Sequence, residues 1–117
     1  MAIPSTGYEG AGTEVLRRTV ISINNTTTNL LTVASNHIYT ILSVSIQNGN
    51  DATHACHIIT SPDGSGTYYL AKNESLPNEG TFVWNDKFVL TAGDILKIWC
   101  SSTATSVYCS YIDQQFA

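Results

Sequence analysis

The chain has 117 residues, of which 43% are hydrophobic and 12% charged, and its formal net charge is -4. That length suits one domain with a single core, and the charged fraction is about half the ~25% usual in soluble globular proteins. The five basic residues, Arg17, Arg18, Lys72, Lys87 and Lys97, form no run beyond the first pair, so the basic footprint of a nucleic-acid binder is absent, and no apolar run approaches the ~18 residues of a membrane span.

Residues 1–13 hold three Gly, one Pro and almost no periodicity, which predicts an extended arm outside the core, with Tyr8 as an anchor worth burying. The same stretch lacks the basic and apolar regions of a signal peptide, so a chain made and assembled in a cytoplasm is expected. Residues 14–117 read as one domain. Glu14 to Ile23 becomes rich in β-branched residues from Thr19 onward, and no cap or 3.6-residue stripe supports a helix there. Asn24 to Asn29 is a turn cluster, and Leu30-Leu31-Thr32-Val33 a short strand closed by Ala34-Ser35-Asn36.

Ile38 to Gln47 has the clearest alternation. Ile38, Thr40, Leu42, Val44 and Ile46 fall on one face and Tyr39, Ser43, Ser45 and Gln47 on the other, with Ile41 out of phase. Asn48-Gly49-Asn50-Asp51 is expected to turn it into a hairpin with Thr53 to Thr60. Pro62-Asp63-Gly64-Ser65-Gly66 is the strongest loop signal. Tyr68 to Lys72 is the next strand, Asn73 to Gly80 a loop, and Thr81 to Trp84 and Phe88 to Leu90 are short strands. Leu90-Thr91-Ala92-Gly93-Asp94 turns the chain into Ile95 to Cys100, expected to close a hairpin with Val107 to Ile112. Gly93 can take the positive φ of a tight turn, and Asp94 can bond back to nearby amides. The sum is an all-β chain: a single antiparallel β-sandwich, jelly-roll-like, of about eight short strands.

Chemistry is sparse. His54, Cys56 and His57, with His37 elsewhere, offer at most two ligands per strand face where zinc needs about four, so no metal or cofactor is expected. No serine sits in a nucleophile-elbow motif. Loop acids such as Asp63, Glu74, Glu79, Asp86 and Asp94 read as turn formers, so no catalytic residues are expected. Cys56, Cys100 and Cys109 read as small buried hydrophobes; a Cys100–Cys109 disulfide across a hairpin stays open but is not favoured. Three Asn-X-Ser/Thr patterns carry no weight without a secretory signal. Alternation turns Trp99 and Tyr108 outward, and on adjacent strands they would form an interface anchor or a sugar-stacking platform.

Leu30-Leu31-Thr32-Val33, Ile41 to Ile46 ending in Asn48, Tyr69 to Asn73, Phe88 to Ile98 and Ser110 to Asp113 together resemble small β-sandwich virion proteins of tailed bacteriophages, over about residues 28–113. The chain departs from them at Ala34-Ser35-Asn36-His37, where they carry a Pro-containing turn. The resemblance implies a non-enzymatic decoration (cement) protein of a bacteriophage capsid, or a tail or neck accessory. Its implied partners are the major capsid protein or other virion proteins and further copies of itself, a trimer being favoured; its implied location is the virion. The arm, through Ile3, Pro4 and Tyr8, is then expected to touch a neighbouring subunit or the shell. A receptor- or carbohydrate-binding module using Trp99 and Tyr108 is the competing expectation.

Overall fold

The computed structural model describes residues 2–3 and 13–116. Its strands are β1 (Ala2–Ile3), β2 (Thr13–Ile23), β3 (Thr28–Thr32), β4 (His37–Asn48), β5 (His54–Ser61), β6 (Tyr68–Leu76), β7 (Thr81–Trp84), β8 (Phe88–Thr91), β9 (Ile95–Cys100) and β10 (Thr105–Gln115), with one 3-10 turn at Pro62–Gly64. They form two sheets. The first runs β1-β2-β10-β4-β7, with β8 also on β4; the second runs β3-β9-β5-β6. Every described pairing is antiparallel.

β7 and β8 are one interrupted strand. β7 lies along Val44 to Gln47 of β4 and β8 along Ile38 to Ile41, with Asn85, Asp86 and Lys87 as the break between them. Counted so, and leaving aside the two-residue β1, eight strands make two four-stranded sheets. Successive strands cross repeatedly between them, the jelly-roll-like sandwich expected from the sequence. Ala2–Ile3 pairs with Glu14 and Val15 at the start of β2. Pro4 and Tyr8, with the rest of the expected arm from 4 to 12, lie outside the described residues.

Two expected hairpins are corrected. β4 and β5 belong to different sheets, as do β9 and β10. Alternation fixes which face a strand buries, but not its partner, and loops of four or five residues can cross the ~10 Å between sheets as well as close a hairpin. The β5–β6 hairpin around Pro62–Gly64 does form. β6 also runs further than expected: Asn73 takes φ 53° and kinks the strand, which continues to Leu76.

The alternation in β4 has its own correction. Opposite Ser110 and Tyr111 the register shifts by one, because Leu42 is an extra residue between Ile41 and Ser43. The bulge reverses the phase. Ile41, Val44 and Ile46 are therefore all fully buried, while Ile38 and Thr40 sit opposite exposed-face residues of β8 and β10. Ile41, out of phase in the sequence, was the mark of this bulge.

One core fills the space between the sheets. Val44, Ile46, Val107 and Cys109 come from the first sheet, and Ile58, Leu96, Ile98 and Cys100 from the second. Each large aliphatic side chain buried there contributes about 1.5–3 kcal/mol. Loops lock both ends. At one, the fully buried Asn48 donates from Nδ2 to the carbonyls of Ala52 (2.8 Å), Leu76 (3.2 Å) and Pro77 (3.1 Å), and its Oδ1 accepts from Asn50 N. At the other, Asp94 accepts the Asp63 amide at 2.8 Å and the Thr91 amide at 2.9 Å. Burial works against the charged carboxylate, but these amides and the Thr91 hydroxyl win, so Asp94 titrates below the ordinary carboxylate value. Gly93 has φ 89°, and a Cβ there would stand 2.9 Å from Asp63 Oδ1. The turn role expected for both residues is what the fold uses them for.

Candidate interaction surfaces

The sandwich has two outer faces, and they differ in chemistry. On the second sheet, His57 of β5 and Trp99 of β9 are direct cross-strand partners and stack at 4.4 Å between ring centroids, 26° from parallel. Tyr69 of β6 meets the His57 ring edge-on at 5.1 Å, and Lys72 Nζ lies 4.9 Å above the Tyr69 ring. Asn73 donates its amide to His57 Nδ1 at 3.0 Å, which fixes the neutral ring with its proton on Nε2. Burial lowers the His57 pKa, and Lys72 adds to that, against an opposing backbone hydrogen bond at Cys56. Trp99 thus spends one face on His57, and Tyr69 is occupied by Lys72. Three rings and one cation pack together on this face, with Tyr69 still 43% exposed.

On the first sheet the outer face is aliphatic. Among the described residues the large exposed apolar side chains are Leu16, Val20, Tyr68, Tyr69, Val83, Val89, Tyr108 and Phe116, and five of these share this one face: Leu16, Val20, Val83, Val89 and Tyr108. They form two rows across the strands. Leu16, Ile112, Thr40 and Val89 are successive cross-strand partners, and so are Val20, Tyr108, Ser45 and Val83. Between the rows run Arg18, Ser110 and Ser43. The small Ser110, with Leu42 of the bulge, leaves a shallow depression of about 500 Å³ bordered by Leu16, Arg17 and Arg18.

Trp99 and Tyr108 are therefore both outward-facing, as expected, but not a pair. β9 and β10 lie in different sheets, so the two rings occupy opposite faces of the sandwich, and a shared stacking platform is ruled out. Ile3 is placed only by its backbone, opposite Glu14.

Asp113 carries no motif or spacing that marks it in the sequence. It is 5% exposed and accepts from Arg17 Nε at 2.9 Å and from His37 Nδ1 at 2.6 Å, one partner per carboxylate oxygen. The Tyr39 and Tyr111 rings pack on each other, 4.9 Å between centroids, and burial, then the Asp113 charge in the case of Tyr39, raises the pKa of both. The cluster ties β2, β4 and β10 together. Joining three strands of one sheet through a nearly buried carboxylate, it reads as a structural clamp.

The expected metal candidates diverge. His54 Nδ1 is bonded to Ser101 Oγ at 2.8 Å, Cys56 points into the core, and His57 points out. Among the described residues no three His, Cys, Asp or Glu side chains converge. All three thiols are free and buried; burial pushes Cys56 and Cys109 up to about 12. The cross-strand partner of Cys100 is Cys56, while Cys109 belongs to the other sheet, so a Cys100–Cys109 hairpin bridge does not arise.

No protein-family profile and no curated protein sequence matches the chain. Solved structures do. A subunit of Bacillus endospore appendages, described as disulfide-linked pili, matches at a TM-score of 0.54 and 14% identity, over 91% of each chain. A chain of the acid-stable capsid of Helicobacter pylori bacteriophage KHP30 matches at 0.51 and 14% identity, over 89% of this chain and 87% of that one. A pentameric capsid protein from metagenomic phage sequences matches at 0.48 and 21% identity, over 84% of this chain and 59% of that one, so the present chain spans about three-fifths of its length. What is shared with the first two of these proteins is the sandwich fold.

Proposed function

We propose that this chain is a non-enzymatic structural protein of a bacteriophage virion, and within the virion a decoration protein that stabilises the capsid against the major shell protein. The observation that carries the reading is the aliphatic outer face of the first sheet. A sandwich of low charge density that leaves five large apolar side chains exposed on one face is built to pack against other protein surface. The sandwich of the KHP30 capsid, matched along nearly its whole length by this chain, supports the same reading. So does the low charge of the chain, 12% of residues, which repels neighbouring subunits weakly. Clustering of copies on a shell would multiply weak single contacts through effective concentration.

The pilus likeness favours a second reading, a fibre subunit. Against it stand the thiols. Cys56, Cys100 and Cys109 are the chain's three cysteines and are at most 1% exposed, so disulfide links between folded subunits would have to open the core. A glycan-binding tail accessory is supported only by Trp99, since Tyr108 lies on the far side.

Quantitative mass spectrometry of purified particles tests the proposal. A copy number comparable to that of the shell protein is expected. A few copies per particle would move the chain to the tail or neck, and its absence from particles would overturn the virion reading.

A further inference from the structure

The aliphatic face has a symmetry of its own. The four strands stand in the order β2, β10, β4, β7–β8. A two-fold axis running along the strands in the plane of contact places β2 of one copy over β7–β8 of another, and β10 over β4. Under that operation the two exposed rows meet themselves. Leu16 faces Val89 of the second copy and Val20 faces Val83, all four being more than two-fifths exposed in the single chain. In the middle, large faces small: Tyr108 of β10 lies over Ser45 of β4, and Ile112 over Thr40, because those residues share levels along the strands. The level between the rows is complementary too. Arg18 has no carboxylate partner among the described residues, and the opposite rim at its level is the Asn85–Lys87 break, which carries Asp86.

We propose that this face docks on the same face of a second copy, through a two-fold axis parallel to the strands. Four strands at about 4.8 Å and some ten residues at about 3.3 Å give about 600 Å² of face per copy. Two such faces come to about 1,200 Å², the lower end of specific interfaces. An isologous contact of this kind needs each surface to be complementary to itself under one rotation, which the knob-over-hole pairs supply. The partner is therefore a second copy of this chain, and the contact is weak enough to be concentration-dependent. This inference concerns the isolated chain and does not rest on the virion reading.

Cross-linking tests the rotation itself. Two full-length single variants are made, Val20→Cys and Val83→Cys, the native thiols being buried. A bis-maleimide spanning about 10 Å, the spacing of packed sheets, is added to each variant alone and to their equimolar mixture, alongside sedimentation equilibrium of the unmodified chain. The expected result is a concentration-dependent dimer and covalent dimer in the mixture at least about five-fold above either variant alone. Strong cross-linking of Val20→Cys with itself would overturn the proposed axis, which sets the two copies of that residue three strand spacings apart across the face. So would a trimer by mass, the symmetry expected from the sequence resemblance. A chain that stays monomeric up to about 100 µM, whether or not maleimide reacts slowly at position 20, would overturn the proposal altogether.

Discussion

The two outer faces of the sandwich both carry aromatic and apolar side chains but put them to different uses. On the second sheet Trp99, His57, Tyr69 and Lys72 pack on one another. On the first sheet Leu16, Val20, Val83, Val89 and Tyr108 are spread in two rows with only serines and one arginine between them, and they satisfy nothing within the chain. Exposure of an aromatic ring is therefore a poor guide to binding. What marks a contact surface is apolar area that the chain itself leaves uncovered.

The sharpest way to break the contrast is charge on the aliphatic face. Val20→Glu combined with Val89→Glu places a carboxylate on each rim, and self-association by sedimentation should weaken by about 100-fold, equivalent to about 2.7 kcal/mol. Thermal stability should hold, since both side chains are exposed. Next in size is a change that should disturb the fold beneath both faces without touching either. Gly93→Ala forces a side chain into φ 89° and against Asp63 Oδ1, and urea unfolding should show a loss of about 1–3 kcal/mol.

Trp99→Ala probes the other face. Loss of the His57 stack should cost about 1 kcal/mol of stability while leaving self-association unchanged. The smallest effects are pH-dependent. His57 is held below the ordinary histidine value, so the unfolded chain binds its proton more readily. Its contribution is intact above that ordinary value and declines as pH falls below it. Asp94, also depressed, contributes above the ordinary carboxylate value and loses that contribution as pH falls through its folded value. Titration of His57 by NMR, and its return toward the ordinary value in Lys72→Gln, would check the first of these.

The sequence carried the strand inventory and the turn chemistry well because both are local. Gly93-Asp94 and Pro62 to Gly66 are determined by a few neighbouring residues, and they sit where they were expected. Pairing is not local. The same alternating pattern in Ile95 to Cys100 and Val107 to Ile112 serves a hairpin or a crossing between sheets equally well, and only the packing of the whole core selects the crossing. That one choice separates Trp99 from Tyr108 and removes the platform expected of them. The Leu42 bulge left a trace, in the misphased Ile41, but its consequence for the outer face depends on β10 and β8. Asp113, a lone carboxylate near the end of the last strand, gave no signal at all, because Arg17 and His37 reach it from 96 and 76 residues away in sequence.

Side-chain footprinting of the assembled and dissociated states most directly tests the claim that the aliphatic face, and not the aromatic one, meets neighbouring protein. Hydroxyl-radical modification of Tyr108 and Trp99 would be measured by mass spectrometry in both states. The account predicts that assembly protects Tyr108 several-fold while Trp99 reacts as before. Protection of Trp99 with Tyr108 unchanged would contradict it.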